Sequence, residues 1–234
     1  MRKISIIVPV FNEEKSLKKL FQKLLNLKFN KNKKEIVAIN DGSTDNSFNI
    51  LKKFKKIKVL NQSNQGKGKA VQSGISKATG EHVVVQDSDL EYSPKDIVRM
   101  YKATKNLKKI SIYGSRYLPL YFGIIPKYYK GQNLSSYFAN IIFIFLFFLL
   151  YQRLITDPLT GYKLYEKKFF KNNSIRSKGF EADHEITAKL IKNNYKIIEI
   201  PINYKPRTKA EGKKINFFDG LKALYTIIIY RFFN

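Results

Sequence analysis

The stretch Val83-Val84-Val85-Gln86-Asp87-Ser88-Asp89-Leu90-Glu91-Tyr92 decides how the chain is read. Three β-branched apolar residues mark the end of a buried strand, and acidic residues begin where it stops. Asp87, Asp89 and Glu91 recur at every second position. In an extended segment that spacing turns all three carboxylates to the same side. Carboxylates gathered at a strand's carboxyl end repel one another unless a cation lies between them. Oxygen-only ligands suit Mg2+ or Mn2+ rather than zinc. Such an ion would most naturally hold the diphosphate of a nucleotide. The competing reading is a solvated acidic turn after a strand.

Outward from this stretch, strands and helices alternate. Residues 4–10 are an apolar run, read as a buried parallel strand. Phe11-Asn12-Glu13-Glu14 turns into a helix whose Leu17, Leu20, Phe21, Leu24 and Leu25 share one face. After a polar turn at 31–34, residues 35–40 form a second strand. Asp41-Gly42-Ser43-Thr44-Asp45 closes it, with Asp45 or Ser43 capping the next helix. Residues 57–60 are a third strand, and Gly66-Lys67-Gly68-Lys69 leads into a helix that Gly80 ends. Beyond the acidic stretch come a helix at 94–104, with Pro94 in its first turn, and a fifth strand at 110–113. The alternation predicts a doubly wound, mostly parallel α/β sheet. Right-handed crossovers then gather loops 9–14, 41–45, 66–69 and 87–92 at one sheet edge, where such sheets bind ligands.

After Gly114 the pattern changes. Residues 115–133 read as a long mobile loop and 133–154 as an apolar helix. A turn at 156–161, a strand at 162–165, a helix opening at Phe180-Glu181-Ala182-Asp183-His184-Glu185 and a strand at 195–200 follow. A basic loop at 201–215 leads to a last helix, 216–233, apolar nearly all round. With no repeat and no linker, residues 1–234 read as one domain: a nucleotide-binding half, 1–116, and an appended membrane-facing half, 117–234.

The 234 residues carry a formal charge of +26 and no cysteine. That excludes disulfides and thiolate metal sites and points to a polyanionic partner. The lysine excess is also what an AT-rich genome would give. A membrane surface is favoured over nucleic acid, because no basic recognition helix or aromatic RNA motif is visible. No secretory leader is expected, since Met1-Arg2-Lys3 runs straight into the first strand. The longest apolar run, 141–151, falls short of the roughly 20 residues a bilayer span needs. Residues 137–151 and 217–233 therefore read either as core or dimer helices, or as helices lying flat in the headgroup region.

Several motifs follow in order. They are Pro9-Val10-Phe11-Asn12-Glu13, Asp41-Gly42-Ser43-Thr44-Asp45, Gly66-Lys67-Gly68, Asp87-Ser88-Asp89-Leu90-Glu91 and Gly114-Ser115-Arg116. Asp157-Pro158-Leu159-Thr160-Gly161-Tyr162-Lys163 and the basic run from Arg207 to Lys214 complete the series. Together they resemble the family 2 glycosyltransferases of GT-A fold, on the branch of the polyprenyl-phosphate sugar synthases of dolichyl-phosphate mannose synthase type. The resemblance covers essentially the whole chain.

It implies transfer of a hexose, mannose or glucose, from a GDP- or UDP-sugar to a polyprenyl phosphate, with Mg2+ or Mn2+ and inversion at the anomeric carbon. It implies that Asp41 and the turn of Pro9, Phe11, Asn12 and Glu13 hold the nucleobase and ribose, with Ser43, Lys67, Asp87 and Ser88 in the same nucleotide-sugar set. Asp87, Asp89 and Glu91 would hold the metal, although relatives often carry glutamine where Glu91 stands. Arg116, Arg207 and Lys213 would neutralise phosphates, and Asp89, Asp157 and Arg116 form the catalytic set. The implied place is cytoplasmic, peripheral at the inner face of the membrane, with no nucleic-acid partner and with a homo-oligomer left open.

A phosphate acceptor is already ionised and needs orientation more than deprotonation. A saccharide hydroxyl acceptor, the first alternative, would need a base from Asp157, Glu181 or Asp183. The second alternative is a non-catalytic basic binding protein on the same fold. Each residue also has a plain structural reading. Asp41 and Asp45 suit turn caps, Lys67 a solvated lysine and Asp157 a turn former before Pro158. Arg207 and Lys213 could belong to the general excess of positive charge. His184 reads as a surface or capping histidine, since no second histidine lies near, and His82 as structural.

Overall fold

The computed structural model describes residues 3–29, 34–104, 107–118, 121–122, 125–126, 134–207 and 217–233. Lys213, the turn at 31–33, most of the loop expected at 115–133 and residues 208–216 lie outside the described residues.

The first half follows the expected alternation. It runs β1 (Ile4–Val10), α1 (Glu14–Leu25), β2 (Lys34–Asp41), α2 (Ser47–Lys52), β3 (Lys58–Gln62), α3 (Lys67–Lys77), β4 (His82–Val85), α4 (Lys95–Ala103) and β5 (Ile110–Ser115). A two-stranded hairpin of β6 (Tyr121–Phe122) and β7 (Ile125–Pro126) follows. The second half supplies α5 (Leu134–Tyr151), β8 (Lys163–Glu166), α6 (Phe169–Asn172), α7 (Ala182–Lys192), β9 (Lys196–Pro201) and α8 (Phe217–Phe232). The short α6 has no counterpart in the sequence reading. Helix α3, expected to run through Ala78, ends at Lys77 with Ala78 as its C-cap. Gly80 serves a different need: a Cβ there would come 2.6 Å from Ser5 Oγ and 2.8 Å from the Lys3 carbonyl.

Among the described residues a seven-stranded sheet has the order β3-β2-β1-β4-β8-β5-β9. The pairs β1–β2, β1–β4, β2–β3 and β5–β9 are parallel, while β8 runs antiparallel between β4 and β5. Both halves of the chain thus share one sheet, and β5 is separated from β4 by a strand that arrives much later.

Alternating side chains divide the core in two. Ile6, Val8, Ala38 and Val84 face α1 and α4, where Leu17, Phe21, Ile97 and Met100 are buried. Ile7, Val37, Ile39, Val83 and Val85 face the other layer, with Ala70, Phe143, Phe147, Ile186 and Ile227 of α3, α5, α7 and α8. In α1 the buried positions 17, 20, 21 and 24 repeat at helical spacing. Helix α3 lies so close to the sheet that a Cβ on Gly74 would sit 2.7 Å from Ile39 Cδ1.

Glu35 locks the edge of the sheet opposite the loops described below. Its carboxylate accepts from Ser5 Oγ at 2.5 Å, from Thr79 Oγ1 at 2.9 Å, from Gly80 N at 3.1 Å and from the Thr79 backbone N–H. Lys58 Nζ lies at 2.9 Å and Lys3 Nζ at 3.4 Å. Burial alone would raise this carboxyl, but the hydrogen bonds from Ser5, Lys58 and Thr79 outweigh it and hold the group well below the usual range. A depressed folded-state pKa stabilises above the unfolded value and is lost as pH falls through the folded one. Glu35→Gln should therefore cost about 2 kcal/mol at pH 7 by chemical denaturation. The gap from the wild type should close as the pH is lowered below the ordinary value of 4.5.

Candidate active site

The loops at the carboxyl edge of the sheet are tied to one another. Asn12 adopts a left-handed conformation with φ 51°. Its N–H donates to Ser43 Oγ at 3.1 Å, its Oδ1 accepts from Thr44 N at 2.8 Å and its Nδ2 donates to Thr44 Oγ1 at 3.1 Å. Asp45 Oδ1 accepts from Ser47 N at 2.9 Å and Oδ2 from Glu14 N at 3.1 Å, so Asp45 ties the starts of α2 and α1 together, Asn46 is the N-cap residue of α2, and Ser43 holds Asn12. Pro9 lies within β1 opposite Ile39, and Phe11 is half-buried beyond it. Asp41, the last residue of β2, accepts from Gln62 Nε2 at 2.7 Å, Gln65 N at 3.0 Å and Gly66 N at 2.9 Å. That carboxylate folds the loop leading to α3. Gly66 takes φ 93°, and a Cβ there would stand 2.7 Å from the Lys178 carbonyl.

This loop delivers Lys67 to the acidic stretch. Its Nζ lies 2.7 Å from Asp87 Oδ1, 4.0 Å from Asp183 Oδ2 and over the Phe180 ring at 5.5 Å. Burial would lower the ammonium, but Asp87 and then Asp183 hold it above its ordinary value. Gly161 forms the wall behind the pair, since a Cβ on it would fall 2.8 Å from Asp87 Oδ2 and 3.3 Å from Lys67 Nζ.

The acidic stretch itself departs from the sequence reading. β4 ends at Val85 and the chain then turns, with Leu90 at φ 67°. Without extended backbone, the two-residue spacing no longer aligns the side chains. Asp87 faces Lys67, and Asp89 Oδ1 accepts from Glu91 N at 3.1 Å while Oδ2 meets Arg207 Nη2 at 3.1 Å. Glu91 turns to the 204–207 segment, accepting from Tyr204 OH and from Arg207 N, each at 2.8 Å. Among the described residues no group of three or more His, Cys, Asp or Glu is disposed as a metal cage. The Ser88 carbonyl accepts from Ser16 Oγ at 2.6 Å, fixing the turn to α1.

The donor chemistry of Asp87 and Asp89 nevertheless fits a hard divalent ion. Burial first, then the charges of Asp87 and Glu91, push the Asp89 carboxyl up to about 7. A cation at that point would relieve the crowding. Glu91, the third carboxylate of the expected set, is engaged by Tyr204 and Arg207.

The next strand end carries Arg116. Because β8 runs against its neighbours, the turn before it arrives at this same edge and places Asp157 beside Arg116. Asp157 Oδ2 accepts from Arg116 N at 3.0 Å and Nε at 2.7 Å, and Oδ1 accepts from Nη2 at 2.7 Å. Asp157 is wholly buried, so this bidentate pair makes it a support for Arg116, not an available base. The guanidinium also lies over the Tyr204 ring at 5.0 Å. Glu199 on β9 supports the turn, accepting from Thr156 N and Oγ1 at 2.8 Å and from Asp157 N at 3.1 Å. Glu181 is engaged too, by Lys178 N and Gly179 N at 3.2 and 3.0 Å.

Tyr92, Tyr162 and Tyr204 stack beneath this edge with centroids 5.0 and 5.1 Å apart, and Tyr92 OH accepts from Gly161 N at 3.2 Å. Sequence reasoning gave no role to Tyr92 and Tyr162, although both lie in quoted stretches, and missed Tyr204 and Glu199, which carry no local pattern. Gly161, inside a quoted motif, was within reach. His184 is neither a surface nor a capping residue: it is buried, 4.9 Å from the Phe143 ring, and burial holds it well below its ordinary pKa.

Comparison with known proteins agrees with this architecture. The model for "Glycosyl transferase family 2" matches residues 5–173. The chain is 28% identical to a UDP-N-acetylglucosamine–dolichyl-phosphate N-acetylglucosaminyltransferase of Methanococcus voltae, over 97% of this chain and 95% of that one. It is 30% identical to a dolichol-phosphate mannosyltransferase of Pyrococcus furiosus, over 97% of this chain and 64% of the relative. In fold it is similar to glucosyl-3-phosphoglycerate synthase of Mycobacterium tuberculosis, crystallised with Mn2+, UDP and phosphoglyceric acid. That match has a TM-score of 0.73 and 16% identity, and covers 100% of this chain and 80% of the other. The sheet order, the loops at its carboxyl edge and the extent of the family match together place the chain among the family 2 glycosyltransferases, with the GT-A fold.

Proposed function

We propose that this chain transfers a sugar from a nucleotide diphosphate to a polyprenyl phosphate at a membrane surface. One observation carries the acceptor: the apolar helix α5 is bolted to the cationic edge. Asn140 Nδ2 of α5 donates to the carbonyl of Thr156 at 3.2 Å, and Thr156 immediately precedes the aspartate that holds Arg116. An acceptor with a phosphate head and an apolar tail matches that pairing. The names of the two archaeal relatives support the same acceptor class and leave the sugar open between an N-acetylhexosamine and a hexose.

The residues divide the work by charge. The loop ordered by Asp41 and the turn at Asn12 cradle the nucleoside. Asp87 and Asp89 would hold a divalent ion, which when bound supplies stabilisation of the diphosphate charge. Arg116 gives Nε and Nη2 to Asp157, leaving Nη1 to orient the acceptor phosphate. An ionised phosphate oxygen then forms a bond to the anomeric carbon as the bond to the diphosphate oxygen breaks. The nucleoside diphosphate leaves with the electron pair, no proton needs a base, and the anomeric configuration inverts. Of the three candidate bases Asp157 is paired with Arg116, Glu181 is engaged by backbone N–H groups and Asp183 lies 4.0 Å from Lys67 Nζ, which favours this over a hydroxyl acceptor.

Helix α5 spans 18 residues, about 27 Å of helix, and is long and apolar enough to cross a membrane by length and composition. We place it instead in the headgroup region, because one side is buried on the core through Phe143, Phe147 and Tyr151. The opposite side exposes Phe138, Ile142, Phe145, Phe148 and Leu149, and α8 exposes Leu221 and Tyr225. Tyr151 OH donates to the Ile227 carbonyl at 2.8 Å and holds the two helices together.

Three outcomes are expected. Incubation of GDP- and UDP-sugars with a short polyprenyl phosphate should yield a lipid-extractable, acid-labile sugar phosphate of inverted configuration, only with Mn2+ or Mg2+. A product formed only on saccharide hydroxyls would replace this reading. Asp89→Asn should keep the circular dichroism of the wild type and lose roughly a hundredfold or more in transfer rate; full activity would remove the metal from the mechanism. Replacing Phe145 and Phe148 together by serine should weaken co-sedimentation with anionic phospholipid vesicles about tenfold or more, since each buried phenylalanine contributes about 1.5–3 kcal/mol. Unchanged sedimentation would return α5 to a protein interface.

A further inference from the structure

Three carboxylates converge on one guanidinium. Arg207 Nη1 lies 3.1 Å from Glu13 Oε2, and Nη2 lies 3.1 Å from both Glu13 Oε1 and Asp89 Oδ2. Its Nε is 3.8 Å from Glu91 Oε1, the oxygen that also accepts the Arg207 backbone N–H. The segment bearing it is strapped across the acidic turn at three further points. Tyr204 pairs with Tyr92 in a β-bridge, Lys205 N donates to the Glu91 carbonyl at 2.9 Å, and Tyr204 OH donates to Glu91 Oε2. A protein cation is therefore already paired with Asp89, the carboxylate that the metal-dependent reading assigns to a divalent ion.

We infer that Arg207 makes the site select a divalent cation arriving with a nucleotide diphosphate over the free cation. A free ion binding Asp89 must displace the guanidinium and gives it no new partner. A cation bound to a diphosphate brings anionic oxygens, which a guanidinium engages in the same forked geometry as a carboxylate. Arg207 then exchanges the carboxylate for phosphate, and the cost of releasing it is offset only in the complete complex. Cation and nucleotide consequently raise each other's affinity by one common factor. Glu91 acquires a role in this scheme: it anchors the strap so that Arg207 returns to Asp89 after product departs.

The inference rests on the metal-dependent reading, and equilibrium Mn2+ binding separates the two. Free Mn2+ is followed by electron paramagnetic resonance for the wild type, Arg207→Met and Tyr204→Phe, alone and with UDP or GDP, correcting for the metal that the nucleotide holds in solution. Arg207→Met should bind Mn2+ alone about tenfold more tightly than the wild type, and its enhancement by nucleotide should shrink by a similar factor. Tyr204→Phe loosens the strap without changing any charge and should move both quantities in the same direction by a smaller factor. If neither variant binds free Mn2+ more tightly than the wild type, the inference falls and the metal-dependent reading stands. A gain in Arg207→Met with the nucleotide enhancement intact is a plain charge effect and also overturns it. If none of the three proteins binds Mn2+ with either nucleotide, both fall together.

Discussion

Negative charge brought out of water at one edge of the sheet is the constraint around which this molecule is arranged. Asp41, Asp87 and Asp89 lie at or just beyond the ends of β2 and β4, Asp157 lies in the turn that precedes β8, and all are at least partly buried. Left alone, each would be costly, because a buried charge needs a partner or a proton. Each has one: backbone N–H groups for Asp41, Lys67 for Asp87, Arg207 for Asp89 and Arg116 for Asp157. The cationic side chains reach in from a helix start, a strand end and a late loop, so the edge is a meeting of distant segments. Its shape depends on these pairings as much as on the sheet below.

Support for the pairs runs deep into the second half of the chain. Arg116 is oriented by Asp157, the turn bearing Asp157 is held by Glu199, and Thr156 accepts from α5. The apolar helix and the Arg116 guanidinium are thus joined through one turn. For the proposed acceptor, with a charged head and a greasy tail, such a link would set the distance between the two ends. The tilted tyrosine cluster of buried Tyr92 and Tyr162 with half-buried Tyr204 lies below without adding charge.

Much of this was legible in the sequence because it is local. The run at 4–10, the helical spacing from Leu17 to Leu24 and the loops closing each strand all declare themselves within a few residues. Their gathering at one edge follows from right-handed crossovers. What remained hidden depends on contacts between distant residues or on single dihedral angles. The left-handed Leu90 breaks the alternation that would have aligned Asp87, Asp89 and Glu91. The insertion of β8 between β4 and β5 is a pairing of residues about 80 apart, such as His82 with Glu166. The Arg116–Asp157 bond spans 41 residues, and Tyr204 belongs to a stretch with no periodic pattern. The family motifs marked those places as special without revealing which residue would grip which.

The bare phenylalanines of α5 have a consequence for how the protein behaves in a tube. A formal charge of +26 keeps molecules apart at low ionic strength. Salt shortens that repulsion to about 10 Å at 0.1 M and about 3 Å at 1 M. Phe145, Phe148 and Leu149 then face a neighbour's equivalent patch with nothing to hold it off. Colloidal stability should thus decline as buffer strength rises, and a mild detergent that coats those rings should restore it.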